Sequence, residues 1–231
     1  FLQNSGNVMD RTIAVLQGLL VLIGCFQFLR IRLQAFQKIC HTEIDIHGNI
    51  LPENIGLQCL VAEIPENAEI GVIELGMSEP GEMTRIANVA RVNCAVVTNI
   101  GVAHIQQLGS KENILKEKLH IQDGMSEDGT LFLNGDDPLL RNVIPENGRK
   151  KILYGLSEGC DYRGEDLHLE NGHPVFTAVH GDEKVQLHLE VMGVHMVQNA
   201  LAALAVAGEY GISMEKLSLI HISEPTRLQL I

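Results

Sequence analysis

Short apolar runs are spaced along the chain between about residues 55 and 155, with amphipathic segments between them. A run of roughly four to eight residues that is bounded by turn-forming residues is typical of a buried β-strand. Strands that alternate with helices form mostly parallel sheets whose two faces are covered by those helices. The pattern therefore predicts an α/β fold with strands at residues 70–75, 95–100, 130–133 and 151–154.

Two helices are predicted between these strands. The first has Ser78 as its N-cap, with Glu79 and Glu82 in its first turn, where the helix dipole favours negative charge. The second opens at Ser110 and runs to about Met125. Helices at these positions would cover the sheet that the apolar runs form.

The pattern changes after Gly155, where apolar and polar residues alternate with a period of two. Such alternation is typical of strands with one exposed face, and Asn-Gly and Gly-Asp pairs are typical of tight turns. A helix is predicted next, at about residues 196–207, with Gly208 ending it. The alternation predicts a small antiparallel β-meander, with strand segments at 167–169, 175–177 and 185–191 and turns at 171–172 and 181–182.

Composition and charge restrict the possible partners and location. The formal net charge of -12 argues against nucleic acid, because nucleic-acid-binding proteins neutralise phosphates with clustered Lys and Arg. Five cysteines are scattered without a CxxC spacing, which is typical of reduced thiols. The expected location is therefore cytoplasmic.

One segment offers an alternative to that location. Residues 13–29 carry no charge and precede Arg30 and Arg32. Their length is at the lower limit for a membrane span, and a basic flank suits its cytoplasmic end. Two glutamines within the segment oppose a span, so a membrane partner is not expected, but a membrane anchor stays open as an alternative.

Two polar side chains lie at or just after predicted strand ends. Glu74 is near the end of the first strand, and His104 follows the second. Ligands of parallel α/β sheets bind beyond the carboxyl ends of the strands, and Mg²⁺ accepts carboxylate oxygen readily, so the two residues could share one ion. The simpler interpretation is a solvated strand end and a structural loop histidine, and histidine is a less usual ligand for so hard a cation.

Lys118 lies among apolar positions of the second predicted helix. At 100° per residue it is about 40° from Ile114, within the face that also carries Ile121, whereas Lys116 points away. A lysine at such a position either extends its amine to solvent or to a carboxylate, or is a buried functional lysine.

Three further polar residues flank predicted helix starts. Asn134 opens the turn Asn-Gly-Asp-Asp-Pro after the third strand, and His195 and Asn199 lie at the start of the last helix. Considered without any relative, these residues suit a helix-starting turn and helix capping.

Four motifs together resemble the Mur ligase family. Their order and spacing are similar to the central ATPase domain of that family over about residues 48–216. The segment ELGMS..GE resembles the branch that joins D-alanyl-D-alanine to UDP-N-acetylmuramoyl-tripeptide. The four motifs are IELGMSEPGE (73–82), TNIGVAHIQQLGSKENILKEKL (98–119), LNGDDPLL (133–140) and GVHMVQNALAA (193–203).

The resemblance implies a P-loop NTPase-like fold, with ATP and Mg²⁺ as cofactors. Glu74 and His104 match the family's Mg²⁺ ligands. Lys118 matches the lysine that becomes carbamylated and so acts as a further metal-binding carboxylate. These three residues are the implied catalytic and metal site.

The resemblance also implies a nucleotide site and a reaction. Asn134, His195 and Asn199 match positions near the adenine and ribose. The tripeptide carboxylate is activated as an acyl phosphate, the D-alanyl-D-alanine amine attacks it, and ADP and phosphate leave. The implied enzyme is a cytoplasmic monomer of peptidoglycan synthesis.

The chain departs from the family at both ends. It contains no glycine-rich P-loop ending in Gly-Lys-Thr, the loop that holds the nucleotide phosphates. A coding-frame slip would explain this, and residues 217–227 (LSLIHISEPTR) match the translation of a sequencing adapter. We therefore expect an inactive chain made of a disrupted segment (1–47), a central ATP-binding domain (48–216) and an adapter-derived tail (217–231).

Two alternatives remain at this point. The first is another ligase of the same superfamily, of the Mur or folylpolyglutamate type. The second is a non-catalytic nucleotide-binding or membrane-anchored protein that uses residues 13–29.

Overall fold

A computed structural model of the chain describes residues 36–39 and 70–215. Within this part of the chain, no helix is long and apolar enough to cross a membrane. The uncharged segment at residues 13–29, the position of the expected frame slip and the tail at residues 217–231 all lie outside the described residues.

The described residues form eight strands and five α-helices. The strands are β1 (Phe36–Ile39), β2 (Gly71–Glu74), β3 (Cys94–Val97), β4 (Thr130–Asn134), β5 (Lys150–Gly155), β6 (Tyr162–Glu170), β7 (His173–His180) and β8 (Glu183–His188). The helices are α1 (Glu82–Ala90), α2 (Ile105–Leu108), α3 (Lys111–Leu119), α4 (Pro138–Arg141) and α5 (His195–Glu209), with short 3₁₀ helices at His120–Gly124 and Glu146–Gly148.

The strands form two sheets that are mostly parallel. β1 and β2 pair in parallel, and the other six strands form one sheet in the order β3-β4-β5-β6-β7-β8. Pairing is parallel from β3 to β6 and antiparallel from β6 to β8. This architecture confirms the predicted α/β fold with an appended β-meander.

The central strand β4 is buried along its whole length and separates two apolar clusters. Successive side chains of a strand point to opposite faces. Phe132 accordingly packs in the cluster of α5, whereas Leu131 and Leu133 pack in the cluster that includes Ile86 of α1 and Ile114 of α3. Helices thus cover both faces of the parallel sheet, which leaves the carboxyl ends of its strands as the edge that can bind a ligand.

The turns of the meander lie where the sequence predicts them. Asn171 and Gly172 both have positive φ, 52° and 87°, as a two-residue turn between twisted strands requires. The second turn, between β7 and β8, contains Gly181 with φ 57°. The β-meander is therefore determined largely by local turn chemistry.

The start of α1 differs from the prediction. Its N-cap is Gly81 rather than Ser78, and Glu79 lies before the helix. Pro80 explains the shift, since the residue before a proline is disfavoured in helical conformation. The carboxylate of Glu82 instead accepts hydrogen bonds from the backbone N–H groups of Ser78 and Glu79, at 2.6 and 3.1 Å.

Two helix ends also differ from the prediction. The helix that Ser110 caps ends at Leu119, continues as a 3₁₀ helix and does not reach Met125. There Gly124 approaches the backbone of Ala87 so closely that a Cβ would overlap it. Gly208 is the second-last residue of α5, which ends at Glu209, and it packs against the hydroxyl of Tyr162.

Candidate functional site

A cleft of about 630 Å³ lies between the segments that contain β2 and β3. Its walls include Glu74, His104 and Lys118, the three residues predicted to form the metal site. They come from the end of one strand, the loop after another and the last turn of α3. The structure therefore places these three predicted residues around a single cavity.

Glu74 is the last residue of β2 and is half-buried. The segment that follows it, residues 75–81, is here called the Glu74 loop. Its backbone is held by two carboxylates: that of Glu82, described above, and that of Glu117, which accepts the N–H groups of Gly81 and Met83 at 3.0 and 2.9 Å. The position of Glu74 thus depends on a loop that helix α3 contacts through Glu117.

His104 is exposed and has a left-handed backbone, with φ 60°. It is the N-cap of α2, and its carbonyl accepts the N–H groups of Gln107 and Leu108. The segment from Thr98 to His104 is here called the His104 loop. Its middle is fixed by Asp137, whose carboxylate accepts the N–H of Ile100 at 2.8 Å.

Lys118 is half-buried on α3, whereas Lys116 is exposed, as the helical periodicity predicts. The Lys118 ammonium donates to the carbonyl of Asn99 in the His104 loop, at 3.1 Å. Burial lowers the pKa of Lys118, because the charged form loses hydration, and the nearby negative charge of Asp137 opposes this only in part. The amine is therefore easier to deprotonate than that of a solvated lysine.

The unmodified side chains of this cleft offer few metal ligands. Among the residues that the structure describes, no three His, Cys, Asp or Glu side chains are grouped so that they could hold a metal ion. Glu74 and His104 offer an oxygen and a nitrogen ligand, while a lysine ammonium has no lone pair to give. Lys118 could act as a third protein ligand only after chemical conversion of its amine.

Asn134 lies at the carboxyl end of β4 and is buried. Its amide donates to the carbonyl of Thr98 at 2.9 Å, and its side-chain oxygen accepts the N–H of Asp136 at 2.9 Å. Thr98 itself lines the cleft. Asn134 therefore connects the cleft to the turn that follows β4.

Asp136 joins that turn to α5. Its carboxylate accepts the N–H groups of Leu156 and Ser157 and the side-chain amide of Gln198, at distances between 2.8 and 3.0 Å. Burial by itself raises the pKa of Asp136, but hydrogen bonds from Ser157, Leu156 and Gln198 outweigh it and lower the pKa. Asp136 is thus held as a carboxylate.

His195 and Asn199 lie on the first turns of α5, away from the cleft. His195 is exposed, and Asn199 is buried with its amide 3.5 Å from the sulfur of Met196. Neither these two residues nor Asn134 lines the cleft that contains Glu74. The predicted site residues therefore fall into two groups, linked by Asn134 and by the contact of Asp136 with Gln198.

Sequence reasoning missed Glu117 and the role of Asp136. Glu117 is three residues after the buried Ile114, a spacing that places both on one helix face and could have indicated its burial. The partners of Asp136 lie 20 to 62 residues away along the chain, and no local pattern indicates them.

Comparison with known proteins shows what this arrangement is similar to. The Mur ligase middle domain family matches residues 27–207. A UDP-N-acetylmuramoyl-tripeptide–D-alanyl-D-alanine ligase of Bacillus subtilis is 38% identical over 176 residues, which are 75% of this chain and 37% of the relative. The chain thus spans well under half the length of this relative.

Solved structures share the fold. The crystal structure of MurF from Acinetobacter baumannii superposes with a TM-score of 0.69 at 20% identity, covering 96% of this chain and 44% of that one. MurF ligase from Thermotoga maritima, in complex with ADP, superposes with a TM-score of 0.67 at 23% identity, covering 94% and 46%. The chain therefore belongs to the Mur ligase family, and residues 27–207 correspond to the family's middle domain.

Proposed function

We propose that this chain supplies the ATP-binding middle domain of a ligase that joins D-alanyl-D-alanine to UDP-N-acetylmuramoyl-tripeptide. The observation that carries the proposal is the presence of Glu74, His104 and Lys118 around one cleft. The Bacillus subtilis relative, whose name describes this reaction, adds support. A role in peptidoglycan synthesis follows, in a cytoplasmic monomer without nucleic-acid or membrane partners.

The proposed cofactors are ATP and Mg²⁺. Glu74 and His104 would hold the ion, together with Lys118 after its amine has added CO₂ and lost a proton to become a carbamate. The residues fit this role, because burial favours the neutral amine that attacks CO₂ and a carbamate adds the oxygen ligand that Mg²⁺ prefers. When bound, the ion neutralises charge on the nucleotide phosphates.

The nucleotide base and ribose are proposed to bind near Asn134, His195 and Asn199. Asn134 lies at the carboxyl end of a parallel strand, where α/β sheets bind their ligands. Asp136 and Gln198 connect this strand end to α5, which carries the other two residues. The exposed ring of His195 is the most accessible of the three side chains.

The proposed reaction has two steps. The tripeptide carboxylate attacks the γ-phosphorus of ATP, which forms an acyl phosphate and releases ADP. The amine of D-alanyl-D-alanine then attacks the acyl carbon, an amide bond forms, a proton is lost and phosphate leaves. Such chemistry depends almost entirely on positioning and on charge stabilisation around the phosphates.

A chimera tests the proposal, because the chain contains no P-loop motif of its own. Residues 70–207 would replace the matching segment of the Bacillus subtilis ligase, which supplies the P-loop and the remaining length. We expect ADP release that requires both the tripeptide and the dipeptide. A folded chimera that releases no substrate-dependent ADP would contradict the proposal.

Long-read sequencing of the source DNA tests the frame slip. It should reveal a P-loop near residues 16–40, and a continuous natural frame without one would refute the slip.

An assay of the enzyme that this DNA encodes tests which acceptor is used. The purified product should extend its substrate with D-alanyl-D-alanine and not with glutamate. A preference for glutamate would favour a folylpolyglutamate-type ligase instead.

A further inference from the structure

Glu117 is a buried carboxylate that caps a helix other than its own. Only 6% of its surface is exposed, although it follows the exposed Lys116 on α3. Its two oxygens accept the N–H groups of Gly81 and Met83, at 3.0 and 2.9 Å. These donors are 36 and 34 residues earlier in the chain, at the start of α1.

The start of α1 depends on this external cap. Gly81 is the N-cap with φ 78°, and no side chain of the helix's own N-cap can accept a hydrogen bond. The first N–H groups of a helix have no partner within it, and a buried polar group without a partner is costly. Glu117 therefore stabilises the point where the Glu74 loop enters α1.

Neighbouring residues of α3 contact the two loops that carry the predicted metal ligands. Glu117 binds the end of the Glu74 loop, and Lys118 binds the carbonyl of Asn99 in the His104 loop. Successive residues of a helix point about 100° apart, so one short segment can reach both loops at once. Adjacent residues of α3 thus hold one end of each loop.

We propose that Glu117 is a positioning residue, which keeps the Glu74 loop against α3 and so keeps Lys118 shielded and facing Glu74 across the cleft. The inference rests on the proposed function for the role of Lys118. Glu117 does not itself touch substrate or metal.

Amine labelling of the full chain tests this inference. The variants are Glu117→Ala and Glu117→Gln, with Thr84→Ala as the matched control. Thr84 donates to Asp123 at 2.6 Å, an exposed contact that also joins α1 to the segment after α3. Modification of Lys118 by an amine-reactive reagent, in bicarbonate-free buffer, would be compared by mass spectrometry with that of Lys151, whose amine is bound to backbone carbonyls elsewhere.

In Glu117→Ala, the rate of Lys118 labelling relative to Lys151 should rise about tenfold or more, as expected when bonds to a charged acceptor are lost and the segment opens locally. Glu117→Gln keeps one acceptor oxygen, so its labelling ratio should rise by an intermediate amount. If Glu117→Ala does not fold, the ratio in Glu117→Gln tests the role of Glu117. Thr84→Ala should leave the ratio unchanged.

Two outcomes would overturn the inference: an unchanged ratio in folded Glu117 variants, or an equal rise in Thr84→Ala. A carbamate signal at Lys118, measured separately by ¹³C NMR in labelled bicarbonate, reports on the proposed function. Its absence from the unaltered chain would count against the metal site while the labelling ratio still decides the role of Glu117.

Discussion

Lys116 and Lys118 are two residues apart on α3, yet their surroundings differ. Lys116 is exposed, whereas Lys118 faces the cleft, donates to Asn99 and has a lowered pKa because of burial. Helical geometry alone separates them, since positions two residues apart lie on different faces. Substitution of Lys118 therefore tests its function, and the same substitution of Lys116, on the same helical turn, is the matched control.

The first prediction concerns this pair in the chimeric ligase. Lys118→Ala should lower kcat by about 10²–10³, the usual cost of losing one electrostatic stabiliser of the transition state. Short carboxylates added to the assay should restore part of the rate by replacing the carbamate. Lys116→Ala should change the rate little, and equal losses in the two variants would remove the case for a special Lys118.

The second prediction concerns Asp136 and pH. Because its folded pKa is depressed, its contribution to stability is present above the unfolded value and is lost as pH falls through the folded pKa. Asp136→Asn should lower the free energy of unfolding by about 1–3 kcal/mol at neutral pH, since bonds to a charged acceptor are lost. The difference should shrink at about pH 3 and below.

Urea denaturation at neutral pH and at about pH 3 measures the free energy of unfolding of the Asp136→Asn variant. Asp128→Asn, at an exposed turn, is the control. A deficit that stays the same at low pH would show that the charge of Asp136 is not the cause.

At the scale of elements, α5 shows how packing can oppose helix propensity. Gly208 lies inside this helix, and a Cβ there would overlap the hydroxyl of Tyr162. Tyr162 is buried and stacked on His180, with ring centroids 4.0 Å apart, so its ring has little room to move. In the sequence, Gly208 suggests the end of a helix, but in the structure it is the point where α5 packs against Tyr162 of β6.

The third prediction follows from that contact. Gly208→Ala should destabilise the fold by about 1–3 kcal/mol, the usual cost of overpacking, although alanine gains about 1 kcal/mol in helix propensity. Tyr162→Phe removes the hydroxyl and should reduce the penalty when the two changes are combined. Thermal denaturation of the single and double variants checks this, and additive effects would contradict it.

The same scale shows what the sequence could predict. Strands β2 to β5 were predictable because their apolar runs are local, and the meander because Asn171 and Gly172 require a tight turn. At the start of α1, Pro80 is a local signal against a helix that begins at Ser78, whereas no local pattern indicates that Glu117, a residue from another helix, satisfies the N–H groups there. Local patterns identify elements and some of their ends, such as the Ser110 cap, whereas tertiary partners such as Glu117 are seen only in the structure.

For the candidate site, Glu74, His104 and Lys118 line one cleft, and their role as a metal site stays a prediction. Glu74 ends β2 and His104 follows β3, which belong to different sheets, and the helix period places Lys118 on the face of α3 that lines the cleft. Asn134, His195 and Asn199 lie outside that cleft. Their contacts with the nucleotide stay predictions, because that assignment depends on the family resemblance.

At the scale of the whole molecule, the fourth prediction is that residues 1–231 perform no ATP-dependent ligation. The sequence contains no P-loop lysine or hydroxyl to hold the γ-phosphate and its ion, and phosphoryl transfer depends on them. An assay of ADP release with both peptide substrates checks this, with the chimera as the positive control. ADP release by the chain itself that requires both substrates would contradict the prediction.

The central claim is that the cleft formed by Glu74, His104 and Lys118 is the metal site of a Mur ligase middle domain. ¹³C NMR of the purified chain in ¹³C-bicarbonate tests it most directly, because CO₂ adds to a neutral amine and burial of Lys118 favours that form by lowering its pKa. The account predicts a carbamate signal that persists in Lys116→Ala and disappears in Lys118→Ala, apart from any signal of the α-amine that is present in all three proteins. A spectrum that is the same in Lys118→Ala as in the unaltered chain would contradict it.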